Sequence, residues 1–140
     1  MLRRIVATVL FLLVAYAATV TANARQAPRL APADEYFGPF HESILGLRNR
    51  LNDFDRRSDR DMLRPGTIGA IDNVERGMLD WQHKYPEDTW LPSMLSRLIH
   101  EYHRAHGLGT ARGRLALHVM MSDYPGAYVP SKKKIAAIRR

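Results

Sequence analysis

The sequence contains no cysteine among its 140 residues. Disulfide bonds, thiolate metal ligands, a cysteine nucleophile and a lipid anchor on a processed cysteine are therefore excluded. The chain also lacks a glycine-rich phosphate loop and a serine in a nucleophile elbow, which are common signatures of nucleotide binding and acyl transfer. No segment of useful length shows the apolar–polar alternation of a strand. These absences predict an all-α protein that is stabilised by helix packing alone.

The N-terminal segment has the pattern of a secretory signal peptide. Arg3 and Arg4 form a basic start, residues 5–20 form an apolar run, and a small-x-small pattern ends at Ala24. We therefore expect export to a bacterial-type periplasm, with cleavage after Ala24. In the alternative interpretation residues 5–24 remain as a membrane anchor, because this uncharged run is just long enough to span a bilayer.

The rest of the chain divides into a leader, a helical domain and a tail. Prolines and the lack of periodicity after Ala24 are typical of a flexible leader. The predicted division is a signal peptide over residues 1–24, a leader over 25–35, a helical-hairpin domain over 36–130 and a basic tail over 131–140.

Helix breakers predict four main helices in the domain. A Pro-Gly pair, two Tyr-Pro pairs and a glycine-containing turn separate the periodic segments. The expected bounds are Pro39 to Leu63, Thr67 to Tyr85, Asp88 or Thr89 to His106, and Thr110 to Asp123. Gly107 is expected to adopt the left-handed conformation that ends the third helix.

Apolar spacing predicts which helix faces are buried. The first helix carries a narrow apolar seam, and the third carries a broad one. These residues are Phe40, Ile44, Leu47, Leu51 and Phe54 in the first helix, and Met94, Leu95, Leu98, Ile99 and Tyr102 in the third. The fourth helix is apolar nearly all round over Leu115–Met121, so we expect it at the centre of the core.

A short phrase occurs twice in the domain. Tyr85-Pro86-Glu87-Asp88-Thr89-Trp90-Leu91-Pro92 returns, one residue shorter, as Tyr124-Pro125-Gly126-Ala127-Tyr128-Val129-Pro130. Each copy follows a helical segment, and the two Tyr-Pro pairs lie 39 residues apart. Such spacing predicts two equivalent corners between stacked helix hairpins.

Over Trp81 to Val129 the chain resembles the tetratricopeptide-repeat proteins, in particular exported bacterial ones whose hairpins end in Tyr-Pro. The matching positions are Leu95, Leu98 and Tyr102 in the first helix of the repeat, and Gly113 and Leu117 in the second. The resemblance implies two antiparallel helix hairpins with a grooved surface that binds a protein segment. It also implies a role in cell-envelope assembly.

Three histidines form a row at the end of the third predicted helix. His100, His103 and His106 follow one another at steps of three, which places neighbours about 60° apart around a helix. Two imidazoles on one turn are able to ligate zinc or copper. A small metal-binding or hydrolytic envelope protein that uses this row is therefore an alternative function.

The formal net charge is +7 at pH 7. An exported protein meets little nucleic acid, so anionic lipid or an acidic protein surface is the expected counterpart. The strongest basic cluster lies in the tail, at Lys132, Lys133, Lys134, Arg139 and Arg140. Weak contact with an anionic membrane through this cluster is a second alternative function.

The leading hypothesis is a non-enzymatic interaction or scaffold module of the periplasm. It needs no cofactor, and its ligand is expected to be a helix or an extended segment of an envelope protein, bound in a groove between helices.

Overall fold

A computed structural model describes residues 29–127. Its elements, in chain order, are strands β1 (Tyr36–Phe37) and β2 (Glu42–Ser43) and helices α1 (Ile44–Asp55), α2 (Asp59–Met62), α3 (Thr67–Lys84), α4 (Leu91–Arg104) and α5 (Ala111–Asp123). The four long helices confirm the predicted all-α fold class. The predicted signal peptide and basic tail lie outside the described residues.

The first helix begins later than predicted. Pro39 lies in a tight turn between β1 and β2, whose two antiparallel strands pair Tyr36 with Ser43 and Phe37 with Glu42. The Ser43 hydroxyl accepts a hydrogen bond from the Gly46 amide at 3.1 Å, and this side-chain cap starts α1. A start near Pro39 is therefore wrong, because the chain reverses direction before it becomes helical.

The predicted seam of the first helix is buried only in part. Leu47, Leu51 and Phe54 are buried, whereas Phe40 precedes the helix and is 56% exposed. α1 ends at Asp55, and the predicted continuation to Leu63 is replaced by the short helix α2. A serine cap at Ser58 starts α2 anew.

The centre of the core lies between α3 and α4. The five predicted apolar positions of α4 are all buried, and so are Ile71, Val74, Met78 and Trp81 of α3. α3 begins at Thr67, and Gly66 occupies the cap position before it with a φ of 87°. Pro92 lies in the first turn of α4, where a residue without a backbone N–H is tolerated.

The end of α4 corrects a second local prediction. His106, and not Gly107, adopts the left-handed conformation, with a φ of 56°. Gly107 is buried, and a Cβ atom there would meet the Tyr102 ring at 3.0 Å. Gly107 therefore allows close packing against Tyr102, and His106 adopts the left-handed conformation that ends the helix.

The position of α5 contradicts the predicted centre of the core. Only Gly113, Ala116 and Met120 of this helix are buried, and the helix packs against α3 and α4. Leu115 and Met121 are 43% and 57% exposed. α5 thus lies at an edge of the bundle, with apolar side chains on its outer face.

Contacts along the helices define their directions. Arg48, near the start of α1, lies against Trp90 at the start of α4, and Arg104 at the end of α4 donates to the Phe54 carbonyl at 3.0 Å. α1 and α4 therefore run in the same direction. Short connections then make α3 and α5 antiparallel to them.

Within residues 29–127, no helix has both the length and the apolar character needed to cross a membrane.

Candidate functional site

An apolar groove lies between the leader, the start of α1 and the connection from α3 to α4. We call it the Trp90 groove, and it has a volume of about 290 Å³. Three of its large apolar side chains, Leu30, Leu45 and Trp90, are each more than half exposed. The remaining lining residues are Ala31, Ala33, Ile44, Arg48, Trp81 and Asp88. Concave apolar surface with a few polar groups is typical of a binding site.

The buried carboxylate of Asp88 holds the walls of the groove together. Its Oδ2 accepts from the Ala31 amide at 3.0 Å and from Trp81 Nε1 at 3.2 Å, and its Oδ1 accepts from the Trp90 amide at 3.0 Å. Asp88 therefore positions the start of α4 through the Trp90 amide. The predicted start at Asp88 or Thr89 is wrong, because α4 begins at Leu91 after Trp90 and has no side-chain cap. The same carboxylate also fixes the leader, since Ala31 lies against the core.

The cationic group of the groove is Arg48. Its guanidinium carbon lies 6.0 Å from the centre of the Trp90 ring, which is within the range of a cation–π contact. The Arg48 Nε atom is buried and has no hydrogen-bond acceptor among residues 29–127. The groove thus combines an apolar floor with one incompletely satisfied cation.

The two Tyr-Pro segments, which we call corners, end their helices with matching backbone angles, and the chain beyond Ala127 lies outside the described residues. Tyr85 ends α3 with φ −137° and ψ 62°, and Tyr124 ends α5 with φ −130° and ψ 52°. In each corner the tyrosine carbonyl accepts from the amide three residues later at 3.0 Å. The corners also touch, because the Tyr124 hydroxyl donates to the Pro86 carbonyl at 2.8 Å. Only the first corner has an aspartate at its fourth position, so only the first corner organises the groove.

The aromatic side chains near the first Tyr-Pro segment divide between core and surface. Trp81 and Tyr85 are buried, and the Phe37 ring packs against both, with ring centres 5.8 and 6.2 Å away. Trp90 is 51% exposed, although Tyr85 of the same repeated phrase is buried. The Trp90 side chain is therefore available to a ligand.

A second hollow has a different character. It has a volume of about 620 Å³ and lies beside the start of α3, between Arg57 and Ala70. Its walls are mainly polar, and Arg64 is paired with Asp61 at 2.8 Å. We therefore take the apolar Trp90 groove as the candidate site.

The histidine row does not form a single helical face. His100 and His103 lie on α4, whereas His106 follows its end in the left-handed conformation. All three side chains are exposed. In the part of the chain that the structure describes, no group of three or more His, Asp or Glu residues is placed to hold a metal ion. The geometry gives the metal-binding alternative no support.

Two glutamates that the sequence analysis did not single out are completely buried. Glu75 pairs with Arg112 of α5, and Glu101 accepts from Arg104 at 2.9 Å. Burial and the neighbouring Asp55 carboxylate raise the pKa of Glu101 to about 7. Burial likewise raises the pKa of Glu75. Neither glutamate lines the Trp90 groove, so both act in the packing of the helices.

We expect the free energy of unfolding to fall by about 2.5 kcal/mol between pH 4.5 and pH 7 because of Glu101, since each pKa unit corresponds to about 1.4 kcal/mol. The folded pKa lies above the ordinary value of 4.5, so the folded state retains a proton that the unfolded chain has lost. Urea unfolding at a series of pH values measures this slope. Glu101→Gln should reduce it, whereas the exposed Glu87→Gln should not. Equal slopes for Glu101→Gln and the original chain would contradict the assignment.

The positive charge of the chain lies outside the described residues. Residues 29–127 contain all 14 acidic residues and 13 of the 21 Lys and Arg residues. The other eight basic residues precede Arg29 or follow Ala127, among them the predicted lipid-binding cluster of the tail. The folded domain is therefore nearly neutral. Arg48 attracts anions at the groove, whereas the net charge of the domain does not.

Three residues that line the groove were not predicted as site residues: Leu30, Leu45 and Arg48. Leu45 and Arg48 lie beside the buried seam of α1. The available signal was Leu45 itself, a large apolar residue that directly follows Ile44 and falls outside the predicted seam. Leu30 had no local signal, because its place depends on a hydrogen bond between residues 57 positions apart.

Comparison with known proteins gives no relative from which a role can be transferred. No family model matches the chain, and neither a curated protein nor a solved structure matches it.

Proposed function

We propose that this chain is a non-enzymatic interaction module of the cell envelope that binds an apolar segment of a partner protein in the Trp90 groove. The observation that carries the proposal is the convergence of Leu30, Leu45 and Trp90, all more than half exposed, on one concave surface. Leaving three such side chains in water costs free energy that a bound apolar segment would recover.

The rigidity of the groove supports binding of a protein segment. Asp88 ties the leader, α3 and the start of α4 into one unit, so the walls are formed before a ligand arrives. A preformed site avoids part of the ordering entropy that binding otherwise costs. The groove is also open at its surface, which suits side chains presented by a longer chain.

The chemistry of the lining supports a binding role over a catalytic one. The carboxylate of Asp88 already accepts three N–H groups, and an arginine is a poor general base because it stays protonated. The two carboxyls with raised pKa values, Glu75 and Glu101, are buried away from the groove. Catalysis would need such a group within reach of a substrate.

The proposal keeps the scaffold type that the sequence suggests, a helix-hairpin domain of the tetratricopeptide kind in the periplasm. The matching Tyr-Pro corners and the close approach at Gly113 support this scaffold. The proposed export rests on the signal-peptide pattern of residues 1–24.

Selection from a pool of random twelve-residue peptides tests the proposal. We expect the chain to enrich apolar peptides, and Trp90→Ala to weaken the binding of a selected peptide about tenfold or more, as hot-spot tryptophans do. Fluorescence anisotropy of a labelled peptide measures the change. Leu45→Ala should act in the same direction with a smaller effect.

Leu63→Ala is the matched control for these variants. Leu63 is 54% exposed, like the groove leucines, but lies outside the groove. Its replacement should leave peptide affinity unchanged. Equal losses for the Leu63 and Trp90 variants, or none for either, would overturn the groove as the binding site.

A further inference from the structure

Arg48 carries an unused hydrogen-bond donor at the edge of the proposed binding site. Its Nε atom is buried, and within the described residues no acceptor lies within hydrogen-bonding distance. An unsatisfied buried donor normally costs about 1–3 kcal/mol, and more when it belongs to a charged group. Arg48 also lines the groove, so a ligand there meets its charged side chain.

The neighbouring carboxylates do not satisfy this donor. Asp88 is committed to the Ala31, Trp81 and Trp90 N–H groups. Glu42, which precedes α1, pairs with Arg50 through Oε1 at 3.3 Å, and its Oε2 has no partner among residues 29–127. Glu42 does not line the groove, and the lining residues other than Arg48 and Asp88 are apolar, so no lining carboxylate pairs with Arg48.

We infer that the partner segment recognised by the Trp90 groove is apolar and carries a carboxylate, from an aspartate or a glutamate, that binds the Arg48 guanidinium at the groove wall. This inference rests on the proposed function and adds the chemical class of the partner. The apolar side chains of the segment lie on Leu30, Leu45 and Trp90. Its carboxylate lies beside the Arg48 guanidinium, where a charge-assisted hydrogen bond in low dielectric is strong.

The test compares matched peptides on matched proteins. A peptide selected on the full chain is resynthesised with its acidic residue changed to the corresponding amide. We expect the amide peptide to bind about tenfold more weakly, which corresponds to about 1.4 kcal/mol. On Arg48→Gln the two peptides should bind alike, since the carboxylate has lost its donor. Arg48→Lys should recover little, because lysine keeps the charge but lacks the planar guanidinium that matches a carboxylate.

The possible results separate the two proposals. If peptide binding depends on Trp90 but the acidic and amide peptides bind equally well to the original chain, the carboxylate inference is overturned and the proposed function stands. If peptide binding does not depend on Trp90, the proposed function is itself overturned. Saturable binding of dodecanoate at Arg48 without any peptide binding would replace the protein partner by a lipid. Circular dichroism of each variant confirms that the helices remain folded.

Discussion

Gly113→Ala is expected to lower the free energy of unfolding by about 3 kcal/mol or more, at the upper end of the cost of overpacking. A Cβ atom at this buried position of α5 would fall far inside contact distance of the Gly107 carbonyl oxygen and 2.9 Å from Leu108 Cα. Both are backbone atoms, so no side-chain rotation relieves the clash.

The turn that faces Gly113 cannot move away easily. The Gly107 carbonyl accepts from both the amide and the hydroxyl of Thr110, at 3.0 and 2.7 Å. The Thr110 hydroxyl in turn accepts from the Gly113 amide at 3.1 Å and so caps α5. A displaced turn would lose the cap as well, which adds about 1 kcal/mol to the cost.

Urea unfolding of Gly113→Ala measures the effect, and two other glycines supply the controls. A Cβ atom at Gly109 or at Gly69 would meet open space. Gly109→Ala should change stability by less than about 1 kcal/mol, and Gly69→Ala within α3 should stabilise by about 0.5–1 kcal/mol. A Gly113→Ala protein as stable as the Gly109→Ala protein would contradict the packing of α5 on the turn.

Asp88→Ala is expected to destabilise the protein by about 3 kcal/mol, because it removes the acceptor of three N–H groups. The indole N–H of Trp81 suffers most, since its side chain is fully buried and water cannot replace the carboxylate. The Ala31 amide also loses its partner, so the leader should separate from the helices. Urea unfolding measures the first effect, and faster tryptic cleavage after Arg29 measures the second.

Two variants distinguish the role of Asp88 from a general sensitivity of the corner. Glu87→Ala changes the exposed neighbour and should cost less than about 0.5 kcal/mol. Asp88→Asn keeps one acceptor oxygen and should lie between Glu87→Ala and Asp88→Ala. If all three variants are equally stable, the carboxylate does not hold the groove together.

The fold class and the corners followed from local rules. The stripe of α4 from Met94 to Tyr102 is buried as its periodicity predicts, because a regular helix presents such positions on one side. The Tyr-Pro corners end α3 and α5 with matching backbone angles, because a residue before proline is excluded from the helical region.

The predicted burial of side chains was wrong where the sequence pattern did not show which face of a helix meets a neighbour. An all-round apolar segment such as Leu115–Met121 indicates burial but not which neighbours supply it, and among the described helices α3 and α4 make the main contacts with α5. Glu75 and Glu101 are the reverse case. They stand at helical spacings from buried residues, but a carboxylate is expected in water unless a partner such as Arg112 or Arg104 is known to face it.

Helical periodicity and backbone sterics, which act over a few residues, were enough to define the helices, most of their ends and the two matching corners. The Trp90 groove was decided by contacts between distant segments: Ala31 with Asp88, Arg48 with Trp90, and Arg104 with the Phe54 carbonyl. Such contacts depend on which helix faces meet, and many arrangements of the same amphipathic helices are compatible with the local pattern. Their selection requires the simultaneous satisfaction of buried polar groups and close packing across the whole domain.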